Sequence, residues 1–264
     1  MIFMSESKLK VDIRRGKIME LLQHDGKVYV TELSRTLGVT PVTIRNDLDV
    51  LEKSGYLVRM SGGAILPNRA KGKAAERPCV PSVPQMQEKE AIAQAVLKMV
   101  HDGDTLFINS GTTTQIIASA LRERSHLNIV TNSLAVASAL ENMPAFRVII
   151  LGGELNTKYG FTYGADAQEK LSQYHADWAI LSVDGVSAET GITTYHAEEA
   201  IIDCQMIGGA KQVLITADHT KIGRAGFMKI CDCTADMRIV TNKCQSEALA
   251  CLLQSGIAVT ECPF

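Results

Sequence analysis

Residues 39–51 read VTPVTIRNDLDVL, a stretch with the pattern of an amphipathic helix and a defined start. Thr40 is a favourable N-cap residue, and Pro41 suits the first helical position because its missing N–H would have no helical partner there. Apolar residues then recur at helical spacing and predict one buried face: Ile44, Leu48 and Leu51. The opposite face is polar, which raises the question of what it contacts.

Two helical patterns precede this stretch. Residues 12–24 predict a first helix with its N-cap near Asp12. The next run, VYVTELSRTLG, predicts a second helix that Thr31 caps and Gly38 ends. We expect the third helix to run to Ser54, with Gly55 at its C′ position. Three helices with a tight glycine turn before the last one form a helix-turn-helix, whose last helix enters the major groove of DNA.

A glycine hairpin follows the third helix. Ser61, Gly62 and Gly63 separate two short apolar runs, which indicates a hairpin and hence the wing of a winged helix-turn-helix. Asp47 would repel phosphate, so we expect it to cap the helix or to pair with a neighbouring arginine. The residues predicted to contact double-stranded DNA lie on the third helix and the wing: Thr40, Val42, Thr43, Arg45, Asn46 and Arg59.

Charge divides the 264-residue chain into two parts. Residues 1–77 carry 14 Lys and Arg against 9 Asp and Glu, whereas the remainder carries 13 against 20. A basic front part is the electrostatic footprint of a polyanion-binding domain. Residues 67–88 hold four of the seven prolines and lack periodicity, which predicts a linker. The expected domains are therefore the winged helix-turn-helix at 1–66, this linker, and a second domain at 89–264.

Composition argues against several other classes of protein. No apolar run approaches the ~20 residues of a membrane span, and the N-terminus lacks the apolar core of a signal peptide. The seven cysteines are scattered, so we expect reduced thiols in a cytoplasmic protein without a membrane partner. Neither HExxH nor H-x3-H spacing occurs, and neither GxGxxG after a strand nor a P-loop is found, so we assign no metal and no cofactor.

From residue 89 the chain alternates between strand and helix patterns. The strands are continuous apolar runs, as at 105–108 and 178–183, which is typical of a sheet covered by helices on both faces. The alternation predicts an α/β domain with a doubly wound, mostly parallel sheet. Hydroxyl, amide and glycine residues follow the strands, at 109–114 and 131–133 for example, where such folds bind ligands. Hydroxyls and backbone N–H groups there suit phosphate or sugar oxygens.

The chain resembles the DeoR family of bacterial transcriptional regulators. Residues 28–64 are similar to the N-terminal signature TIR-x-DL-x-x-LE-x-x-G with its glycine wing, although Ser61 stands where the family usually has His or another aromatic. The later order DGD, GTTT, TNS, GG, DG and DHTK is similar to the family's sensor domain, which is related to the ribose-5-phosphate isomerase and glucosamine-6-phosphate deaminase folds. The resemblance implies a phosphorylated sugar as effector.

The expected effector-binding residues combine the strand-end positions with that family pattern. They are Asn109, Ser110, Gly111, Thr112, Thr113, Thr131, Asn132, Ser133, Gly153, Asp184, Thr193, Glu198 and Lys221. Two positions depart from the pattern, because Asn109 stands where the family usually has Asp and Asp203 stands about where it has Lys. Lys221 is then the best remaining cation for a phosphate.

Three functions fit these patterns. The first is a repressor of a sugar-catabolism operon, which a phosphorylated sugar releases from DNA and which binds paired half-sites as a homo-oligomer, a dimer or a tetramer. The second is a sugar-phosphate isomerase with Asp184 and Glu198 as acid and base groups and Lys221 on the phosphate. The third is a DNA-binding regulator whose effector pocket is degenerate, as the changes at Asn109 and Asp203 suggest.

Overall fold

The computed structural model describes residues 6–53, 56–65 and 85–263. Contacts between residues divide the chain into two compact units, Met1–Pro84 and Gln85–Phe264. Most of the linker expected at 67–88 lies outside the described residues, as do Ser54 and Gly55, the expected end of the third helix.

The first unit is a winged helix-turn-helix, as predicted. Its elements are α1 (Glu6–Asp25), β1 (Lys27–Tyr29), α2 (Val30–Leu37), α3 (Pro41–Lys53), β2 (Val58–Met60) and β3 (Gly63–Ile65). The three strands form an antiparallel sheet in the order β1-β3-β2. Ser61 and Gly62 form the turn of the predicted hairpin, and Gly38 ends α2 in the left-handed conformation with a φ of 63°.

Two local predictions in this unit were wrong, and one short strand was not predicted. The first helix begins at Glu6 and not near Asp12, because residues 6–11 are mostly good helix formers that extend it. The second helix begins at Val30 with Tyr29 as its N-cap residue, so Thr31 lies within the first turn and does not cap it. The chain passes directly from β1 into α2, and this strand of three residues is too short to leave a sequence pattern.

The buried face predicted for α3 is confirmed. One apolar cluster joins the three helices, and its central members are fully buried or nearly so: Ile18, Leu22, Leu33, Ile44, Leu48 and Leu51. Burying one such side chain contributes about 1.5–3 kcal/mol relative to leaving it exposed. Packing of this kind holds α3 rigidly against α1 and α2.

The second unit alternates between helices and strands, with short 3-10 helices at Leu121–Glu123 and His219–Lys221. Its helices are α4 (Met86–Leu97), α5 (Thr112–Ala120), α6 (Leu134–Ala139), α7 (Ala165–Leu171), α8 (Ala197–Gly208) and α9 (Glu247–Gln254). Its strands are β4 (Thr105–Ile108), β5 (Asn128–Thr131), β6 (Arg147–Ile150), β7 (Glu154–Asn156), β8 (Phe161–Tyr163), β9 (Ala176–Ser182), β10 (Gly185–Ser187), β11 (Gly191–Thr194), β12 (Ala210–Thr216), β13 (Met228–Cys231), β14 (Met237–Asn242) and β15 (Ala258–Cys262). α4 begins three residues before the expected domain start at 89.

Seven of these strands form one parallel sheet in the order β15-β14-β12-β9-β4-β5-β6, which confirms the predicted α/β fold. The chain builds outward from β4 to β6, then returns to place β9 on the other side of β4. The point where the strand order reverses therefore lies between β4 and β9. In doubly wound folds, ligands bind beyond the carboxyl ends of the strands at this point.

The sheet is covered on both faces. Phe107 of β4 belongs to one apolar cluster, whereas its neighbours Leu106 and Ile108 belong to another. This alternation between two buried clusters explains why the strands read as continuous apolar runs. Within the described ranges, no helix has both the length and the apolar character needed to cross a membrane.

Two small antiparallel sheets were not predicted. β7 and β8 form a hairpin, and β10, β11 and β13 form a three-stranded sheet in the order β10-β11-β13. The hairpin is attached at the end of β5, because the backbone N–H of Thr162 donates to the Asn132 carbonyl at 2.8 Å. It therefore brings the turn between β7 and β8 to the carboxyl edge of the large sheet.

Candidate functional site

Thr40 caps the start of α3, as the sequence predicted. The Thr43 backbone N–H donates to the Thr40 Oγ1 at 3.2 Å, and the two threonine hydroxyl oxygens lie 2.9 Å apart. Thr40, Arg45 and Asn46 are exposed, Thr43 is half-buried, and the Val42 side chain is 61% exposed. The first two turns of α3 thus present a polar surface together with the exposed Pro41 and Val42.

Asp47 lies on the same helix but points inward. Its Oδ2 is 2.5 Å from the Arg14 Nε, and its Oδ1 is 2.9 Å from the Arg15 Nε. The expected pairing with a neighbouring arginine is therefore confirmed, with two arginines of α1. Because Asp47 is almost fully buried, this double contact fixes the position of α3 relative to α1.

Arg59 of the wing is directed toward α3. Its guanidinium Nη1 lies 3.5 Å from the Asp49 Oδ1, and its backbone N–H donates to the Glu52 Oε1 at 2.6 Å. Arg59 would have to exchange Asp49 for phosphate to contact DNA. Its role in DNA binding remains a prediction.

In the second unit, Asn109 joins β4 to β9 at the point where the strand order reverses. The Asn109 Nδ2 donates to the Ser182 carbonyl at 2.9 Å, and the Asn109 Oδ1 accepts from the Ser182 backbone N–H at 2.9 Å. The same Nδ2 lies 3.0 and 3.1 Å from the two carboxyl oxygens of Asp203. The two departures from the family pattern therefore contact each other.

This contact makes the two departures physically dependent on each other. Asn109 and Asp203 are fully buried, and burial together with the nearby Glu199 raises the pKa of Asp203 well above its usual value. The Asn109 amide contributes no charge of its own and lies within hydrogen-bond distance of both oxygens of this carboxyl group.

Glu199, rather than the predicted Glu198, faces this interior. The Ser110 hydroxyl donates to the Glu199 Oε1, and the Thr194 hydroxyl oxygen lies 3.2 Å from the Glu199 Oε2. Burial raises the pKa of Glu199 to about 8. Glu198 is exposed at the start of α8. The inward positions of α8 follow helical spacing, which was the signal available in the sequence: Glu199, Ile202, Asp203 and Met206.

Asp184 and Lys221 are brought together beyond the ends of β9 and β12. The Lys221 Nζ lies 3.3 Å from the Asp184 Oδ1. The Asp184 Oδ2 accepts from the Tyr195 backbone N–H at 3.1 Å and lies 3.2 Å from the Thr194 hydroxyl oxygen. The cation expected to bind phosphate thus faces a carboxylate of the same site. Thr193 is buried, and its hydroxyl donates to the Gly185 carbonyl at 3.2 Å.

The glycines at two strand ends allow close backbone approach. Gly111 precedes α5 with a φ of 152°, and a Cβ atom there would lie 2.7 Å from the Ser182 Cβ. A Cβ atom at Gly153 would lie 2.4 Å from the Tyr163 carbonyl oxygen. After Gly111, Thr112 is exposed at the first position of α5, whereas Thr113 is buried.

Thr131, Asn132 and Ser133 are buried after β5. The Ser133 backbone N–H donates to the Thr131 Oγ1 at 3.0 Å, and the Ser133 Oγ caps α6 by accepting from the Val136 N–H at 3.3 Å. The Asn132 Nδ2 donates to the Thr162 carbonyl at 3.1 Å. Its Oδ1 is buried and finds no hydrogen-bond partner among the described residues, so it can accept a hydrogen bond from a ligand hydroxyl.

The β7–β8 hairpin adds residues that the sequence patterns did not indicate. Its turn carries Lys158 and Tyr159, and the Tyr159 ring centroid lies 4.3 Å from that of His196, the residue before α8. Burial lowers the pKa of His196, against the opposing charges of Asp184 and Glu198. No motif marks Lys158 in the sequence, because its position depends on a hairpin whose strands have three residues each.

Comparison with known proteins gives one family for both units. Residues 14–70 match the DeoR-like helix-turn-helix domain, and residues 84–243 match the DeoR C terminal sensor domain. The glycerol-3-phosphate regulon repressor of Escherichia coli (strain K12) is 34% identical, over 84% of this chain and 87% of that protein. The HTH-type transcriptional repressor GlcR of Bacillus subtilis (strain 168) is 32% identical, over 92% of this chain and 94% of that protein.

Among solved structures, ribose 5-phosphate isomerase A from Neisseria gonorrhoeae is 15% identical over 50% of this chain and 52% of that chain, with a TM-score of 0.38. The family assignment rests instead on the two domain matches and on relatives that are similar along most of their length. The chain belongs to the DeoR family of transcriptional regulators.

Proposed function

We propose that this regulator is a repressor of sugar-catabolism genes, and that a phosphorylated sugar binds its second unit and releases it from its operator. One observation carries the proposal: a capped helix with an outward polar face occurs in the same chain as an α/β unit whose polar residues converge where the strand order reverses. The names of two relatives, a glycerol-3-phosphate regulon repressor and a transcriptional repressor, agree with it.

In this proposal α3 lies in the major groove. Arg45 suits a guanine and Asn46 an adenine, while Thr40 and Thr43 suit phosphate or a thymine methyl group. The buried contact of Asp47 with two arginines keeps α3 in one orientation, which base recognition requires. We propose that the chain acts in the cytoplasm as a homo-oligomer, a dimer or a tetramer, because paired half-sites need paired subunits.

The effector would bind beyond β4, β5 and β9. The buried Asn132 Oδ1 suits a sugar hydroxyl, and Lys221 together with the start of α5 suits a negatively charged group. The effector must bind the DNA-free conformation more tightly than the DNA-bound one, and such coupling is typically ~1–3 kcal/mol. The site favours binding over isomerase chemistry, because Asp184 is engaged by Lys221 and Glu198 is an exposed residue.

Binding of the purified chain to its own promoter fragment tests the proposal. Fluorescence anisotropy at low salt should give specific binding that excess unrelated DNA does not remove, and phosphorylated sugars should weaken it where the same sugars without phosphate do not. Arg45→Ala should lose operator binding, whereas Lys221→Ala should still bind the operator and no longer be released. Absence of promoter binding at low salt, where attraction to phosphates is strongest, would refute the proposal.

A further inference from the structure

The Lys158 ammonium group is buried in the turn between β7 and β8, at the carboxyl edge of the large sheet. Its Nζ lies 4.4 Å from the centroid of the neighbouring Tyr159 ring. The Nζ atom is buried, and no residue of the described chain makes a hydrogen bond to it. Burial lowers the pKa of Lys158 to about 8, and no charge among the described residues opposes that effect.

The buried Lys89 and the half-buried Lys221 of this unit each face a carboxylate instead. Lys221 lies 3.3 Å from Asp184, and Lys89 lies 3.5 Å from Asp218. These cations already have carboxylate partners within the protein. An incoming anion would have to compete with those carboxylates, whereas at Lys158 it meets an ammonium group that has no such partner in the described parts of the chain.

The backbone around Lys158 is held firmly beside the predicted effector site. The Asn156 Oδ1 accepts from the backbone N–H groups of Lys158 and Tyr159, each at 3.2 Å. The Gly160 carbonyl, two residues on, accepts from the Leu134 N–H at 2.9 Å, directly after the buried Asn132 and Ser133. The position of the turn is therefore fixed, while the four methylene groups of the lysine let its ammonium group move from the tyrosine ring to a ligand.

We infer that Lys158 binds the phosphate group of the effector, an inference that rests on the proposed function. A buried ammonium without an anion is unfavourable, and a phosphate dianion would supply both the missing charge and the missing acceptors. The aromatic neighbour holds the cation in place while the site is empty. Lys158 is thus a binding residue of the sensor site in addition to Lys221.

A purely structural role for the contact between Lys158 and Tyr159 is the competing explanation. Lys170 provides a matched control, because its Nζ lies 5.5 Å from the Tyr174 ring centroid but the residue is exposed. Replacing either lysine by methionine removes a lysine that faces a tyrosine ring. Only the replacement at Lys158 should remove an anion site.

The test uses the full-length protein with inorganic phosphate and glycerol 3-phosphate as probes, and chloride at equal ionic strength as the reference. Calorimetric titration should show that both probes bind the wild type. Their affinity should fall about tenfold or more in Lys158→Met, as expected for loss of a charge-assisted hydrogen bond. It should be largely kept in Lys158→Arg and unchanged in Lys170→Met. Melting curves verify that each variant is folded.

Equal affinity of the wild type and Lys158→Met for both probes would overturn the inference, and so would the absence of binding by the wild type. Promoter binding measured on the same wild-type preparation separates this inference from the proposed function. A chain that binds its promoter but not the probes refutes the role of Lys158 alone. A chain that binds the probes through Lys158 but ignores its promoter supports the anion site and refutes the repressor.

Discussion

Replacing Lys158 by methionine should stabilise the second unit in the absence of ligand. The pKa of Lys158 is lowered from 10.5 to about 8 because the ammonium group is buried. That difference corresponds to about 3 kcal/mol of unfavourable burial of the charged form at neutral pH. Since the residue is only half-buried, solvent screening and the lost contact with Tyr159 reduce the expected gain to ~1–2 kcal/mol.

The gain should depend on pH in a defined direction. In the unfolded chain Lys158 keeps its proton up to about pH 10.5, whereas in the folded chain it loses the proton near pH 8. The destabilising effect of the charge is therefore fully present below pH 8 and disappears as the pH rises from 8 to 10.5. The wild type should approach the stability of the methionine variant across that interval.

Urea unfolding followed by tryptophan fluorescence measures this effect, because Trp178 is the only tryptophan of the chain and lies on β9 of the second unit. The midpoints of wild type, Lys158→Met and Lys170→Met are compared at pH 7 and pH 10. The exposed Lys170 should leave stability within about 0.5 kcal/mol of the wild type at both values. A Lys158→Met variant that is less stable at pH 7, or a difference that does not change with pH, would refute the reasoning.

Three other predictions concern the two units. Arg45→Ala should weaken operator binding by ~1–3 kcal/mol in anisotropy titrations and leave the melting temperature unchanged, because Arg45 is exposed; an unchanged operator affinity would exclude it from base recognition. Asp47→Ala should destabilise the first unit by ~3–5 kcal/mol, because two arginines lose their carboxylate partner. The same replacement at the exposed Asp49 should cost less than about 1 kcal/mol. Similar losses of stability for the two variants in thermal unfolding would contradict this. The pKa of Glu199 is about 8 in the folded chain, against an ordinary value of 4.5. Protonation of Glu199 therefore favours the folded state below pH 4.5, and this contribution to stability declines as the pH rises to about 8. Glu199→Gln should remove this decline and be the more stable form at pH 9 by on the order of 2 kcal/mol, and parallel pH profiles of the urea midpoints would count against it.

The sequence by itself determined the features that depend on neighbouring residues. Caps and helical spacing at 40–51 indicated α3 and its buried face, and the glycines at 62–63 indicated the wing. Alternating helix and strand patterns indicated the parallel sheet, because each strand with two covered faces must be apolar along its length. Each helix, strand or turn is indicated by its own consecutive residues, and the alternation is read from their order along the chain, so no contact between distant residues is needed.

Only the tertiary structure decided which side chains meet. Asn109 and Asp203 are 94 positions apart, and Asp184 and Lys221 are 37 apart, so nothing local indicates that either pair is in contact. The strands of the β7–β8 hairpin are too short to leave a periodic pattern in the sequence. Hydrogen bonds to the end of β5 hold the hairpin in place. The burial of the Lys158 ammonium follows from that attachment. The free energy of burying a charge is set by the groups that surround it in the folded chain, and those groups are distant in sequence.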